Sequence, residues 1–188
     1  MEKIVVVKRK LLFEKIEHFN GIINYNPKLI DLIKNNYELM DRNAAEINEE
    51  YKQIIPYFVF KYKDKYFLMQ RKKDGVLGNK YSIGIGGHMN ESDISDSIIE
   101  WGMREFHEEV EYKGQFESKV IGFINDDSNP VGKVHFGILI LIIGKSYNIK
   151  VKSELKSGFL ATIDQINSLY EKLEGWSMFS FNLLMQSL

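Results

Sequence analysis

YSIGIGGHMNESDISDSIIEWGMREFHEEVEY, residues 81–112, is the stretch whose reading decides the fold. Its first half holds Gly84, Gly86 and Gly87; its second half is strongly periodic. At about 100° per residue, Ile99, Met103, Phe106 and Val110 share one stripe, which predicts a helix over about 95–112 with an apolar face. Glu105, Glu108 and Glu109 fall on another side, with Arg104 at the edge of that set. Glutamates spaced i,i+3 and i,i+4 repel one another. In the expected helix they also lie toward the C-terminal half, where the macrodipole disfavours anions, and each mismatch costs roughly 0.3–1 kcal/mol. A hard dication, Mg²⁺ or Mn²⁺, would relieve all three, because carboxylate oxygens suit such ions. Glu is also a common helix former, so a solvated acidic face is the plain alternative. The glycines just upstream favour a site, since they allow close backbone approach.

Several familiar motifs are excluded in this stretch. The dinucleotide fingerprint G-x-G-x-x-G fails because position 89 is Met, and no Gly-Lys-Ser/Thr of a P-loop is present. HEEVE at 107–111 has Glu111 where a zinc protease needs its second His. What remains is Gly86-Gly87, a loop, then Arg104-Glu105-Phe106-His107-Glu108-Glu109. This pattern resembles the Nudix box, G-x5-E-x7-R-E-U-x-E-E-x-G-U, with Phe106 and Tyr112 at the bulky apolar positions. More narrowly, it resembles bacterial Nudix phosphoesterase-type proteins with a G-I-G-G-H segment, over roughly residues 41–188. Two positions depart from the box. Glu111 replaces the late Gly, so the helix exit must differ or be longer. Counting back from Arg104 puts the early Glu at Asp96 and the box Gly at Asn90; Glu91 or Glu100 could take the early Glu's place.

The resemblance implies a Nudix-like α/β/α sandwich with a mixed sheet, and hydrolysis of a nucleoside diphosphate linked to another group. It implies Mg²⁺ or Mn²⁺ as cofactor and a phosphorylated small molecule, a nucleotide derivative, as substrate. By motif position Glu105 and Glu109 are metal ligands, Glu108 is a ligand or the base, and Arg104 holds a glutamate. The carbonyl of Gly86 or Gly87 is a further ligand candidate. Glu154, Asp126 and Asp127 are candidates for a general base on a distant loop, against the plain reading of solvated loop acids. His88 faces substrate or else steadies its loop. Arg71, with Lys72 and Lys73, meets phosphate or else solvates a turn. His135 reads as a satisfied histidine at the edge of the core; Tyr57, Phe58 and Trp176 read as core residues rather than base-stacking ones. A non-catalytic module that binds a nucleotide on the same fold is the alternative function. An isomerase on this fold typically needs a reactive cysteine, and the chain has none.

The rest of the sequence is consistent with that frame. The chain has 188 residues, and its 25 Lys+Arg against 26 Asp+Glu leave no global positive field for a nucleic-acid backbone. The absence of cysteine excludes disulfides, thiol nucleophiles and cysteine zinc sites. The longest apolar run, 136–144, is too short to span a bilayer as a helix. The charged N-terminus lacks a signal-peptide core, so a cytoplasmic protein with no membrane partner is expected. A homodimer is compatible with the sequence. Strands are expected at 3–7, 118–125, 133–143 and 147–152, and as a hairpin around Asp64; helices are expected at 27–40, 162–173 and 177–187. DDSNPVG, 126–132, reads as a turn. Strands interrupted by helices indicate an α/β or α+β sandwich. Residues 1–52 are expected to form a strand/helix extension and 53–188 the main domain.

Overall fold

The computed structural model describes residues 2–72, 79–152 and 155–186. The chain opens with β1 (Lys3–Lys8), whose central residues Ile4–Val7 are all buried, then α1 (Arg9–Lys15) and β2 (Gly21–Asn24). Asn26 caps α2 (Pro27–Asn36): its side chain accepts from the Lys28 amide at 3.1 Å, and Pro27 suits the first turn. The sequence reading carried this helix to Met40. It ends instead at Asn36, and β3 (Glu38–Asp41) pairs antiparallel with β1, with Ile4 opposite Met40 and Val5 opposite Leu39. Strand pairing over a buried partner outweighs the local helical spacing.

After α3 (Arg42–Ala45) come β4 (Tyr51–Tyr62) and β5 (Lys65–Arg71), joined through Lys63 (φ 53°) and Asp64 in the expected hairpin. Two short strands follow, β6 (Tyr81–Ser82) and β7 (Gly84–Gly86). The helix expected over 95–112 is much shorter. A 3-10 turn at Glu100–Gly102 leads into α4 (Met103–Glu109), and 110–112 is already β8 (Val110–Tyr112). Val110 and Tyr112 are buried while Glu111 is exposed, a period of two that overrides the helical stripe. Of that stripe, Phe106 and Val110 are fully buried; Ile99 and Met103 are half-buried.

The remaining elements are β9 (Phe116–Asn125), α5 (Pro130–Lys133), β10 (His135–Gly144), β11 (Ile149–Val151), β12 (Leu155–Ala161), α6 (Ile163–Asn167) and α7 (Gly175–Gln186). DDSNPVG does turn, and its end winds into α5 under an Asn129 cap. Ten strands belong to one hydrogen-bonded sheet with main order β12-β5-β4-β10-β9-β2; β1 joins β4 and β3, β6 joins β5, and β7 joins β4. β8 and β11 form a separate antiparallel pair. The fold is a mixed α/β architecture with one large sheet.

The chain divides into two compact units. The first contains Met1–Tyr57, Gly86–Arg104 and Val120–Leu139; the second contains Phe58–Ile85, Glu105–Lys119 and Ile140–Leu188. In the first, Phe13, Phe19, Phe123 and Phe136 pack ring against ring. In the second, Phe58 packs on Phe106 and Phe60 on Tyr112, which seats α4 and β8.

Candidate active site

The glycine segment and Arg104 belong to the first unit. At Gly86 a Cβ would come within 3.0 Å of Tyr57, 3.1 Å of Ile55 and 3.2 Å of the Pro56 carbonyl, so only glycine lets β7 lie this close to β4. The chain leaving it is held by β1, whose Val5 amide donates to the Met89 carbonyl at 2.9 Å. Asn90 then caps a 3-10 turn at Glu91–Asp93, and the Asp93 carboxylate closes the box by accepting from the Asn90 amide at 2.9 Å.

The same Asp93 carboxylate accepts from Arg104 Nε at 2.9 Å and Nη2 at 2.8 Å, a bidentate fork. Arg104 Nη2 also donates to the His88 carbonyl at 3.0 Å. Asp93, a residue to which the motif count does not point, is therefore one partner of the box arginine. The N-x-x-D spacing at Asn90–Asp93 is a capping signal, and it was the available clue. Arg104 thus ties the glycine segment and the 3-10 turn to the start of α4.

Glu105, Glu108 and Glu109 belong to the second unit, all on α4. Phe106, fully buried, fixes the rotation of this short helix. Glu105 and Glu109 are half-buried and Glu108 is exposed. Because α4 starts only at Met103, Glu105 stands in its first turn, where the dipole favours an anion. The expected dipole penalty holds only for Glu108 and Glu109; the i,i+3 and i,i+4 repulsions stand. Beyond the helix, the Lys152 amide donates to the Glu109 carbonyl at 2.8 Å, and Lys152 Nζ donates to the His107 carbonyl. Glu111, the departure from the box glycine, is an outward strand residue beside Lys113 at 3.0 Å. Three carboxylates within five positions, none replaced by an amide, form a hard-oxygen donor set that fits Mg²⁺ or Mn²⁺.

The other expected site residues are spread out. His88 turns its ring to Gln53 Oε1, at 2.7 Å, and toward His135; burial, then the charges of Arg42 and His135, push its pKa down to about 4. Arg71 is half-buried at the end of β5, and its Nε has no hydrogen-bond partner among the described residues. Glu154 and Lys73 lie outside the described residues. Asp126 accepts from the Ser128 amide and hydroxyl and from Asn129, an arrangement that shapes its turn. Asp127 accepts from Arg9, from Lys52 at 2.7 Å, from His18 at 2.5 Å and from Asn125 at 3.2 Å. Burial alone would raise its pKa, but these bonds outweigh it and hold the carboxyl well below the usual range. Such an anchored anion is a poor proton acceptor. Lys52, fully buried, was not foreseen; burial brings its pKa down to about 8 against the pull of Asp127. His135 and the aromatic residues Tyr57 and Phe58 are buried, as expected.

No protein-family model matches the chain. Protein YmaB of Bacillus subtilis (strain 168) is 33% identical, the match covering 97% of each protein. The crystal structure of Tm1382, a candidate Nudix hydrolase, is 29% identical and covers all of both chains with a TM-score of 0.87. A bifunctional NMN adenylyltransferase/ADP ribose pyrophosphatase from Francisella tularensis, complexed with AMP and a Mn ion, shares the fold at 12% identity and a TM-score of 0.52, over 72% of this chain and 42% of that one. With its box arginine locked, its three box glutamates on one helix and full-length likeness to these proteins, the chain belongs to the Nudix superfamily and is a Nudix-type hydrolase.

Proposed function

We propose that this hydrolase cleaves the diphosphate linkage of a nucleotide derivative by water attack on phosphorus, and that it depends on Mg²⁺ or Mn²⁺. The observation that carries this reading is the R-E-F-H-E-E run on and entering α4, with Arg104 held by Asp93. Bound dications would neutralise the phosphate oxygens and lower the pKa of a bound water. Glu105 and Glu109 serve as ligands. Glu108, the exposed member, takes the proton of the attacking water or serves as a further ligand. Arg104 is a positioning residue that fixes the start of α4 and the 86–93 segment. The Francisella protein's ADP ribose pyrophosphatase activity and its Mn ion support this substrate class and metal class by fold likeness. Residues 1–52 act as an extension whose first strand steadies the glycine segment, a role supported by the Val5–Met89 bond.

The test is a panel of nucleoside triphosphates, ADP-ribose, dinucleoside polyphosphates, NADH, coenzyme A and sugar nucleotides, each with Mg²⁺ and with Mn²⁺. Turnover of at least one diphosphate substrate is expected, together with its loss after exhaustive chelation and its return with added metal. Full turnover in the chelated protein would overturn the metal dependence.

A further inference from the structure

We propose that Glu46, His88 and His135, all in the first unit, form a second metal site, suited to a borderline transition-metal dication of the Zn²⁺ class. This goes beyond the box carboxylates and uses none of them. One ligand atom from each residue lies within 4.8 Å of the others. His135 Nδ1 lies 2.6 Å from the Val131 carbonyl and must donate its hydrogen there. That fixes the tautomer and leaves a lone pair on Nε2, the arrangement metal-bound histidines use. His88 Nε2 lies 3.3 Å from His135 Nε2. Two nitrogens about 2.0–2.1 Å from a tetrahedral zinc stand roughly 3.3–3.4 Å apart. Glu46 Oε1 lies 3.9 Å from His88 Nε2, on a side chain 40% exposed, so a small rotation completes the triangle from the solvent side.

A second observation points to a ligand. Gln53 is 1% exposed; its Oε1 receives His88 Nε2–H, while its Nε2 has no hydrogen-bond partner among the described residues. A buried amide left half-satisfied is costly. A dication binds His88 Nε2 in the other neutral tautomer, with the ring hydrogen on Nδ1, and its remaining coordination position takes a water whose hydrogen and oxygen can meet the Gln53 amide. The His88 backbone is already pinned by Arg104 at its carbonyl, so the ring is presented from a fixed segment. Two imidazoles and one carboxylate favour zinc, cobalt or nickel over Mg²⁺. The neighbouring charges are mixed: Arg42 lies 3.9 Å from Glu46 Oε1 and is itself paired with Glu2 at 2.9 Å.

The full-length protein, stripped with chelator and desalted, is titrated with Zn²⁺ by calorimetry and with Co²⁺ by visible absorption. Wild type, Glu46→Gln, His88→Gln and Glu109→Gln are compared, with circular dichroism to confirm folding. The expected result is one Co²⁺ with a tetrahedral imidazole spectrum in wild type and in Glu109→Gln. Zn²⁺ affinity should fall about tenfold or more in Glu46→Gln and in His88→Gln, since even outer-sphere partners cost that much. Glu46 is exposed, so that variant stays folded and decides the question if His88→Gln does not. No bound ion in wild type, unchanged affinity in Glu46→Gln, or loss in Glu109→Gln alone would each overturn the proposal.

Discussion

Asp127 and helix α4 treat negative charge in opposite ways. Around Asp127 one carboxylate meets its neighbour Asn125 and three residues distant in sequence, Arg9, His18 and Lys52. On α4 three carboxylates crowd into five positions of one short helix, at spacings that make them repel. The first arrangement neutralises charge within the chain and holds α1, β4 and the turn after β9 together. The second concentrates three like charges on one short helix, where their oxygens form a hard donor set. A carboxylate held by cations from distant positions anchors the fold, whereas three carboxylates side by side offer oxygen donors to a dication.

Removing each region's charge should therefore have unlike effects. The largest is expected at Asp127→Ala, which leaves Lys52 fully buried without its anion. A loss of about 3–5 kcal/mol is expected, read as a lower urea midpoint at unchanged slope. A loss under about 1 kcal/mol would mean that Lys52 finds another partner.

Glu108→Gln should do the reverse: folding intact by circular dichroism, turnover down by about two orders of magnitude or more, as for a lost general base. Near-normal turnover would separate the acidic helix from the chemistry. A melting series with Mg²⁺ gives a third contrast. Metal should raise the midpoint of the wild type, because a ligand that binds only the folded state stabilises it. Glu109→Gln should respond less, and an equal shift in both would place the ion elsewhere.

Acid provides a milder probe of the Asp127 side. Its folded pKa is depressed, so its stabilisation is complete above about pH 5, where the unfolded carboxylate is also ionised. Below that, the unfolded chain protonates first and stability falls with pH. Urea midpoints taken between pH 5 and pH 3 should drop more steeply in wild type than in Asp127→Asn.

The strands with their own hydrophobic signature were legible in the sequence. The hairpin at Lys63–Asp64, β9, β10 and α7 all fall close to where β-branched runs, turn residues and helical spacing put them. The family was legible in the same way, since the R-E-F-H-E-E run at 104–109 stands out in any context. Harder were the places where a distant partner decides. β3 and β8 lie inside stretches with good helical spacing, and only β1 and β11, pairing with them, make them strands. Asp93 was missed because a 3-10 turn, absent from any simple count of positions, brings it to Arg104. Lys52 carries no signal of its own in the sequence, because the carboxylate that satisfies it is 75 positions away.

The placement of β1 matters during synthesis as well. Ile4–Val7 is a β-branched run that is fully buried once folded, yet its partners lie at 38–41 and 51–53. On the ribosome, at about 5–20 residues per second, the segment waits roughly two to six seconds for the first of β3 to be made, and longer for β4. During that interval it is a naked apolar strand with both edges open, the kind of segment that chaperones capture and that crowded chains use to pair with one another. The lysines on either side of it, Lys3 and Lys8, are exposed in the finished fold and charged throughout the wait, so they also serve as gatekeepers while the chain is still growing.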